Sequence, residues 1–564
     1  MLKILSLFLA LLLLAGCGAA DTAQTYVIEQ VSEPEEEISC FADIEYIRPQ
    51  LEDMYAELDN LHELLDSYFK FGQIISSLEK LYYLRTNFDT MYALADIRAC
   101  LDLADEYYDA EYTWCMEADA EVQMLIEEMY SACANSVHGR WLEIYCFWDG
   151  FCDEYRLRDE GSTDEFSEQY LKLVEREVQL LAQYRDIISA KSIEVDGETW
   201  SLEEYALVDQ TRAYELYYEK YNPVLARIYA ELIVVRQDIA ALMGYESYAD
   251  YAYDALFTRD YSSADAMEYT EYIKEHLIGL VAEFFDSGLA YNVYYDSVDQ
   301  RDLELYLETL AEGFGGRIDE AYRFMKYYTM YDISMAENKA EFSFQTYLDA
   351  YNAPYLFMHP YGYTDDIMTL CHEFGHYADA YIRENAYESI DLAEVYSMAM
   401  QLLAAEQLRC LMTEEEYSNY MIMNMQDILF ALQEQTMLAE FELRAHELKN
   451  PDVETLNALY LEVLEDYGLM SEWEELFALG WVDVSHLFES PFYVISYPVA
   501  SCAALEIYEM ELEEKGSGAD CFITMSESLI SGLMEALDYV GLEDPLSEDS
   551  VKHMAEFIRG QLGL

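Results

Sequence analysis

Long stretches of the chain place apolar residues at intervals of three and four, the spacing that lines one face of an α-helix. The clearest runs extend from Leu51 to Tyr83 and from Phe166 to Ile188, where Leu, Tyr and Glu are abundant and Pro and Gly are scarce. We therefore expect helical hairpins over residues 41 to about 195 and further helices over 201–340. Only nine prolines occur in 564 residues, which leaves little room for an all-β architecture.

Two short segments depart from the helical period. Residues 192–200 alternate around Asp196-Gly197, a pair typical of the tight turn between two strands, and predict a small β-hairpin and a domain boundary. Residues 341–363 are rich in Phe, Tyr and Pro and should include a few strands. The pattern thus predicts a mainly α protein with an N-terminal helical domain at 41–200, a second domain at 201–564 and a small β element in the second domain.

An amphipathic helix follows the second of these segments. Asp365 and Asp366 stand at its start, where the helix dipole stabilises carboxylates. Its apolar positions are spaced by three or four residues: Ile367, Leu370, Phe374, Tyr377, Ala378 and Tyr381. Gly375 costs about 1 kcal/mol relative to Ala inside a helix, so its presence indicates that another element packs closely against that turn.

The same helix carries the pentapeptide His372-Glu373-Phe374-Gly375-His376. Residues four apart on a helix share a face, so both imidazoles can bind one cation while Glu373 projects beside them toward a bound water. The pattern predicts a zinc peptidase with one Zn²⁺ per chain and Glu373 as general base. The alternative, a helix with two ordinary surface histidines, needs a coincidence of spacing among only nine histidines.

Such a site requires a third protein ligand and an open position for water. The downstream candidates are carboxylates: Glu384, Glu388, Asp391 and Glu394. Periodicity is lost after Arg383, and a second apolar run extends from near Leu392 to Leu403, which predicts two antiparallel helices joined by a short turn. At 1.5 Å of rise per residue the return toward the histidines is tight, so the first helix should end early or tilt. Spacing alone leaves the choice of ligand open.

Several other segments match a single known pattern. They are Pro354-Tyr355-Leu356-Phe357, residues 361–366, Thr369-Leu370, Ala393-Glu394-Val395-Tyr396-Ser397, Asp238-Ile239-Ala240, Gly244-Tyr245, Arg259-Asp260-Tyr261-Ser262, His486, Pro491-Phe492-Tyr493 and Tyr497. With these segments the chain resembles the thimet oligopeptidase and oligoendopeptidase F family of zinc peptidases, on the oligoendopeptidase side. The resemblance extends over about residues 222–510.

The resemblance implies roles for further residues. It makes Glu394 the third zinc ligand and Tyr497 the donor to the oxyanion, with Tyr493 and His486 nearby. It also implies a large, two-lobed helical fold with a deep channel that admits short peptides and excludes folded proteins.

The chain departs from the family pattern in two places. The 18-residue step from His376 to Glu394 is shorter than usual, and Gln401 stands where the family usually has a carboxylate. An amide that orients a ligating histidine still accepts a hydrogen bond but adds no charge, so metal affinity should fall.

The N-terminus has the pattern of an export signal. Met1-Leu2-Lys3 precedes an apolar run to Leu14, shorter than the roughly 20 residues that span a bilayer. Leu14-Ala15-Gly16-Cys17 resembles a bacterial lipobox, so residues 1–17 are predicted to be a lipoprotein signal peptide with Cys17 as the lipidated first residue; an ordinary signal peptide is the alternative. Residues 18–40 are polar and acidic and suit a flexible tether. The expected location is the extracellular face of the bacterial cytoplasmic membrane.

The overall charge excludes one class of partner. The chain has 31 Lys and Arg against 112 Asp and Glu, a formal net charge of −81. Nucleic-acid binding requires clustered basic groups, so no nucleic-acid partner is expected. The charge could attract cationic peptides to a cleft, although a solvated acidic surface is its commoner meaning.

These observations predict a zinc-dependent endopeptidase that hydrolyses internal bonds of short oligopeptides at the cell surface. Two alternatives remain open. A metallocarboxypeptidase with the same motif would trim peptides stepwise from the C-terminus, and a lipid-anchored peptide-binding protein without catalysis would keep the fold. Gln401 favours the second alternative, whereas the intact His372, Glu373, His376 and Tyr497 oppose it. No feature of the sequence indicates a particular oligomeric state.

Overall fold

The computed structural model describes residues 40–564 except 68, 147–163, 292, 295, 337, 385–387 and 470–477. The predicted signal peptide 1–17, with Cys17, and nearly all of the tether 18–40 lie outside the described residues. Within the described ranges, no helix combines the length and apolarity needed to cross a membrane.

The mainly α architecture is confirmed. In chain order the helices are α1 (Leu51–Leu65), α2 (Phe71–Leu101), α3 (Glu106–Asn135), α4 (Gly139–Tyr145), α5 (Asp164–Ala190), α6 (Leu202–Ala206), α7 (Gln210–Met243), α8 (Tyr248–Tyr251), α9 (Ser263–His276), α10 (Ile278–Ser287), α11 (Gln300–Phe314), α12 (Gly316–Tyr328), α13 (Asp365–Arg383), α14 (Ile390–Leu408), α15 (Glu414–Phe430), α16 (Thr436–His446), α17 (Val453–Asp466), α18 (Ser485–Glu489), α19 (Ser496–Glu513), α20 (Ser517–Glu527), α21 (Leu533–Val540) and α22 (Glu548–Leu562). Two π-helical turns, Ala252–Leu256 and Ala431–Gln435, adjoin α8 and α16.

The first helices enclose a core of their own. Leu61 of α1, Ile74 of α2 and Val122 of α3 are fully buried in this smaller core. Helix α5 packs instead on α7, and its Leu180 and Tyr184 belong to the main core, which extends to the last helix. The division at residue 200 therefore stays a prediction.

The predicted hairpin at 192–200 is confirmed. Strands β1 (Ser192–Val195) and β2 (Glu198–Ser201) pair antiparallel, with Val195 opposite Glu198. The two residues between them, Asp196 and Gly197, have φ angles of 53° and 85°. Two consecutive residues at positive φ are typical of the turn whose twist matches a β-hairpin, which explains the Asp-Gly pair.

A second sheet leads into the helix that carries the histidine motif. Its strands are β3 (Tyr331–Asp332), β4 (Phe344–Leu348) and β5 (Ala353–Phe357), in the order β3-β5-β4, so the strands expected within 341–363 are confirmed. Strand β5 lies parallel to β3 and antiparallel to β4, and all five of its residues are buried.

The connection from β5 to α13 is fixed by one buried carboxylate. Asp366 accepts hydrogen bonds from the backbone N–H groups of Tyr361, Gly362 and Tyr363, at 2.9, 2.6 and 3.1 Å. Asp366 stands in the first turn of α13, so the bonds tie the preceding loop to the start of the helix. The sheet thereby sets where α13 begins.

Candidate active site

Helices α13 and α14 cross in close contact at Gly375. A Cβ atom on Gly375 would lie 2.6 Å from the Cα of Ser397 and 2.7 Å from the carbonyl oxygen of Tyr396. Only a glycine permits this approach, which agrees with the close packing expected from a glycine inside a helix. Helix α13 continues to Arg383, so of the two expected alternatives the early end is wrong and the tilt stays a prediction. The close contact at Gly375 holds α14 near the histidines.

The crossing brings three potential metal ligands together. The Nε2 atoms of His372 and His376 lie 3.5 and 3.7 Å from the Oε2 atom of Glu394. One ligand atom from each of the three residues lies within 4.8 Å of the others. The two imidazole rings are nearly perpendicular, with an interplanar angle of 83°, so their nitrogens approach one point from different directions.

Two of the other three candidate carboxylates are engaged elsewhere, and the third lies at the far end of α13. Asp391 pairs with the Nε atom of Arg259 at 2.9 Å, and Glu388 lies 3.6 Å from the Nε atom of Arg383. Glu384 caps the end of α13 in a left-handed conformation. Geometry therefore favours Glu394 among the four carboxylates that spacing left open.

Burial sets the protonation state of the second histidine. It lowers the pKa of His376 to about 4, although the nearby carboxylate of Glu394 opposes the change. The ring also forms a hydrogen bond with the backbone of Ala393, which acts in the same direction as Glu394. His376 is thus neutral at pH 7, the form in which imidazole binds metals.

The carboxylate of Glu394 is oriented by two hydroxyl groups. Tyr493 donates to Oε1 at 2.6 Å, and Ser397 donates to Oε2 at 3.1 Å. These bonds turn Oε2 toward the imidazoles and supply partners that hold a ligand in place. We did not predict Ser397 from the sequence, although its position three residues after Glu394 places both on one helix face.

Glu373 lies beside these groups with one oxygen unpaired. It is 7% exposed, and its Oε2 atom has no hydrogen-bond partner in the described part of the chain. Burial, and after it the carboxylate of Glu394, raises the pKa of Glu373 to about 8. Two neighbouring buried carboxylates repel each other unless a cation lies between them. Two imidazoles and a carboxylate oxygen form a donor set that suits Zn²⁺, so the residues fit the expected metal.

A histidine and two tyrosines complete the site. The ring centroids of His486, on α18, and Tyr497, in the first turn of α19, lie 6.3 Å apart, and each is 5.5 Å from that of Tyr493. Burial and the carboxylates of Glu394 and Glu373 raise the pKa of Tyr497, so its hydroxyl remains a donor. Burial lowers the pKa of His486. The structure thus brings together all seven residues predicted for the site.

Gln401 ties α14 to the next helix. Its amide nitrogen donates to Asp427 at 2.9 Å and to Asn424 at 3.4 Å, both on α15. The departure from the family pattern at Gln401 therefore corresponds to a contact between helices. These acceptors occupy the amide nitrogen of Gln401.

Parts of the chain are similar in sequence to a known protein family and to known bacterial proteins. The chain matches the Peptidase M3 N-terminal domain over residues 41–144 and Peptidase family M3 over residues 261–521. An oligoendopeptidase F homolog of Borreliella burgdorferi is 34% identical over 170 residues, 28% of this chain and 29% of that protein. Oligopeptidase PepF of Bacillus subtilis is 27% identical over 235 residues, 39% of this chain and 32% of that protein. The alignments thus span about a third of each relative.

The fold likeness extends further than the sequence likeness. The solved structure of PZ peptidase A with inhibitor 2 superimposes with a TM-score of 0.79 at 20% identity, over 93% of this chain and 99% of that one. The family resemblance seen in the motifs is confirmed by the two family matches, which lie on both sides of the predicted boundary at residue 200. The chain belongs to peptidase family M3.

Proposed function

We propose that this protein is a zinc-dependent endopeptidase that hydrolyses internal bonds of short oligopeptides. The observation that carries the proposal is the convergence of His372, His376 and Glu394 beside the unpaired carboxyl oxygen of Glu373. The names of the curated relatives, an oligoendopeptidase and an oligopeptidase, support the same class of substrate.

Glu373 is the proton carrier in this proposal. Zinc, when bound by the two histidines and Glu394, supplies a Lewis acid that lowers the pKa of a water and polarises the scissile carbonyl. The Oε2 atom of Glu373 accepts the proton of the attacking water and passes it to the leaving amine. Its lack of a hydrogen-bond partner among the described residues suits this role, because an oxygen already bonded to the fold would have to exchange partners first.

Tyr497 is the proposed donor to the oxyanion. Tyr493 already donates to Glu394, so its hydroxyl proton is committed to orienting a ligand, whereas that of Tyr497 can turn to the developing negative charge. A donor whose partner forms only in the transition state raises turnover without tightening substrate binding. His486 lies against both tyrosine rings and supports their placement.

The proposal is tested with a mixed library of short peptides and a set of folded proteins. We expect internal cuts in unstructured peptides, intact folded proteins, loss of cleavage with a chelator and recovery with added zinc. Cleavage sites are located by mass spectrometry. Stepwise loss of C-terminal residues would instead establish a metallocarboxypeptidase, and zinc-loaded protein that binds peptides without cutting them would establish a binding protein. Either result overturns the proposal.

We also propose that the protein is anchored at the cell surface through Cys17. The apolar run that ends in Leu14-Ala15-Gly16-Cys17 motivates this proposal. Mass spectrometry of the native N-terminus should find a diacylglyceryl group on Cys17 as the first residue. An unmodified N-terminus elsewhere would contradict it.

A further inference from the structure

A single buried arginine connects the two halves of the site. The guanidinium of Arg259 donates from Nε to Asp391 at 2.9 and 3.2 Å, and from Nη2 to the carbonyl oxygen of Phe492 at 2.9 Å and the hydroxyl of Ser496 at 3.0 Å. The side chains of Arg259 and Asp391 are both 0% exposed. One planar group therefore binds the start of α14 and a turn from a distant part of the chain.

The partners of Arg259 adjoin residues of the site. Asp391 lies three residues before Glu394 in the same helix, about one turn away. Phe492 directly precedes Tyr493, and Ser496 directly precedes Tyr497. Arg259 thus joins the helix that carries the third ligand to the turn that carries both tyrosines.

The turn includes a residue in an unfavourable conformation. Phe492 has a φ of 66°, the left-handed region that a large L-residue rarely adopts. Its N–H donates to the Oε1 atom of Glu442 at 3.0 Å, while its carbonyl accepts from Arg259. Two buried side chains from other elements therefore hold Phe492 on both sides. Relaxation to negative φ would rotate the peptide that leads to Tyr493.

We infer that Arg259 is a positioning residue. By holding Phe492 in its left-handed conformation, Arg259 places the hydroxyl of Tyr493 against Glu394 and the ring of Tyr497 beside Tyr493. This inference deepens the proposed function and rests on it for its catalytic consequence. A lysine could keep the charge pair with Asp391, but its single ammonium lacks the planar fork that reaches Phe492 and Ser496 as well.

The competing explanation is that the Arg259–Asp391 pair supports only the stability of the core. Lys339 provides the matched control, because it is also a fully buried cation. Its Nζ donates to Asp332 at 2.6 Å, to the Ser334 carbonyl at 3.1 Å and to the Met358 carbonyl at 2.5 Å. These partners belong to β3 and its neighbouring loops and do not include any of the seven site residues. Replacing Lys339 therefore shows which effects follow from the loss of a buried cation that does not contact the site.

The first measurement follows the turn itself, without relying on activity. The zinc-loaded protein is labelled with 3-fluorotyrosine at position 493, and its fluorine resonance is recorded for the wild type, Arg259→Lys and Lys339→Met. We expect Arg259→Lys to shift or broaden the resonance and Lys339→Met to leave it in place. Asp391→Asn weakens the ion pair with Arg259 while keeping a hydrogen-bond acceptor, so it should shift the resonance in the same direction but by a smaller amount. If Arg259→Lys does not fold, Asp391→Asn takes its place as the test variant.

The second measurement is kinetic. A displacement of about 1 Å at a site can lower turnover by about 10²-fold, so Arg259→Lys should lower kcat by about 10- to 10²-fold with KM within about threefold and one zinc per chain. Phe492→Gly, which adopts positive φ without strain, should restore part of that loss when added to Arg259→Lys. An unchanged resonance and kcat in Arg259→Lys, or equal changes in Lys339→Met, would overturn the inference. A wild type that is inert with zinc bound refutes the proposed function, while the fluorine resonance still decides the role of Arg259.

Discussion

Glu57, in the first helical hairpin, and Glu373, at the candidate site, are each 7% exposed. Glu57 accepts hydrogen bonds from Ser77, Lys80 and Asn60 at 2.5, 2.6 and 2.7 Å. Burial alone would raise the pKa of Glu57, but these three donors lower it. Glu373 instead keeps one oxygen without a hydrogen-bond partner in the part of the chain that the structure describes, and its pKa is raised to about 8.

The difference shows how the protein treats two glutamates whose exposed fractions are equal. A buried polar group without a partner costs free energy, and a fold normally supplies donors for it, as around Glu57. At the Oε2 atom of Glu373 the described part of the fold supplies none, although hydroxyl groups serve the neighbouring Glu394. The missing partner at Glu373 is therefore specific to one oxygen atom, which the proposed mechanism assigns to the attacking water.

Removal of the third ligand should have the largest effect. Glu394→Ala deletes the one carboxylate that faces both imidazoles, so zinc and peptidase activity should be lost together. Zinc content is measured by atomic absorption alongside hydrolysis of a short peptide. Full zinc occupancy in this variant would mean that the ligand is another group and that the paired hydroxyls of Tyr493 and Ser397 serve only packing.

The two glutamates themselves give the most direct comparison. Glu373→Gln should lower turnover by about 10²–10⁴-fold, the range of positioned acid–base catalysis, while zinc and short peptides remain bound. Glu57→Gln is its matched control and should leave kcat and KM unchanged. Equal activity of wild type and Glu373→Gln on a broad peptide panel would remove the distinction drawn between the two carboxylates.

Tyr497→Phe tests the donor that we assign to the oxyanion. Loss of one such donor typically lowers turnover by about 10²–10³-fold. We expect this fall in kcat with little change in KM or zinc content, because the oxyanion that this hydroxyl would serve forms only in the transition state. A variant with near-normal kcat would show that Tyr497 only packs against His486 and Tyr493.

The smallest effect concerns stability around Glu57. Since the folded-state pKa of Glu57 lies below the unfolded value of about 4.3, its carboxylate stabilises the fold above that value and loses this contribution as the pH falls through the folded pKa. Glu57→Gln should lower the free energy of unfolding by about 1–3 kcal/mol at pH 7. The difference in free energy of unfolding between wild type and Glu57→Gln should become smaller below about pH 4. Urea unfolding at pH 7 and pH 3 measures this difference. A difference that stays constant over this range would contradict the ionic role.

Local periodicity was sufficient to predict most of the fold and three of the seven site residues. His372, Glu373 and His376 lie in one helix, whose geometry alone determines that they share a face. Strand β3 was missed because a two-residue strand carries no alternation of its own. The pair of strands in 341–363 and the 192–200 hairpin were recognisable from composition and from one turn.

The long-range contacts of the site could not be predicted in this way. Spacing left four carboxylates open as third ligands, and the resemblance to a family was needed to select Glu394. Arg259 is separated by 132 residues from Asp391 and by 233 from Phe492. No periodicity relates such distant positions, so a turn stabilised by a remote side chain is visible only in three dimensions.

The close crossing at Gly375 has a consequence for how this site can evolve. Because van der Waals contact between two helix backbones sets the distance from the histidines to Glu394, the connection between α13 and α14 is free to vary in length. Insertions there should be tolerated across relatives and in engineered variants. A methyl group at Gly375 should not be tolerated, since it would push α14 away from both imidazoles. The number of residues between second and third ligand is therefore a poor criterion for recognising distant members of the family, and a glycine before the second histidine is a better one.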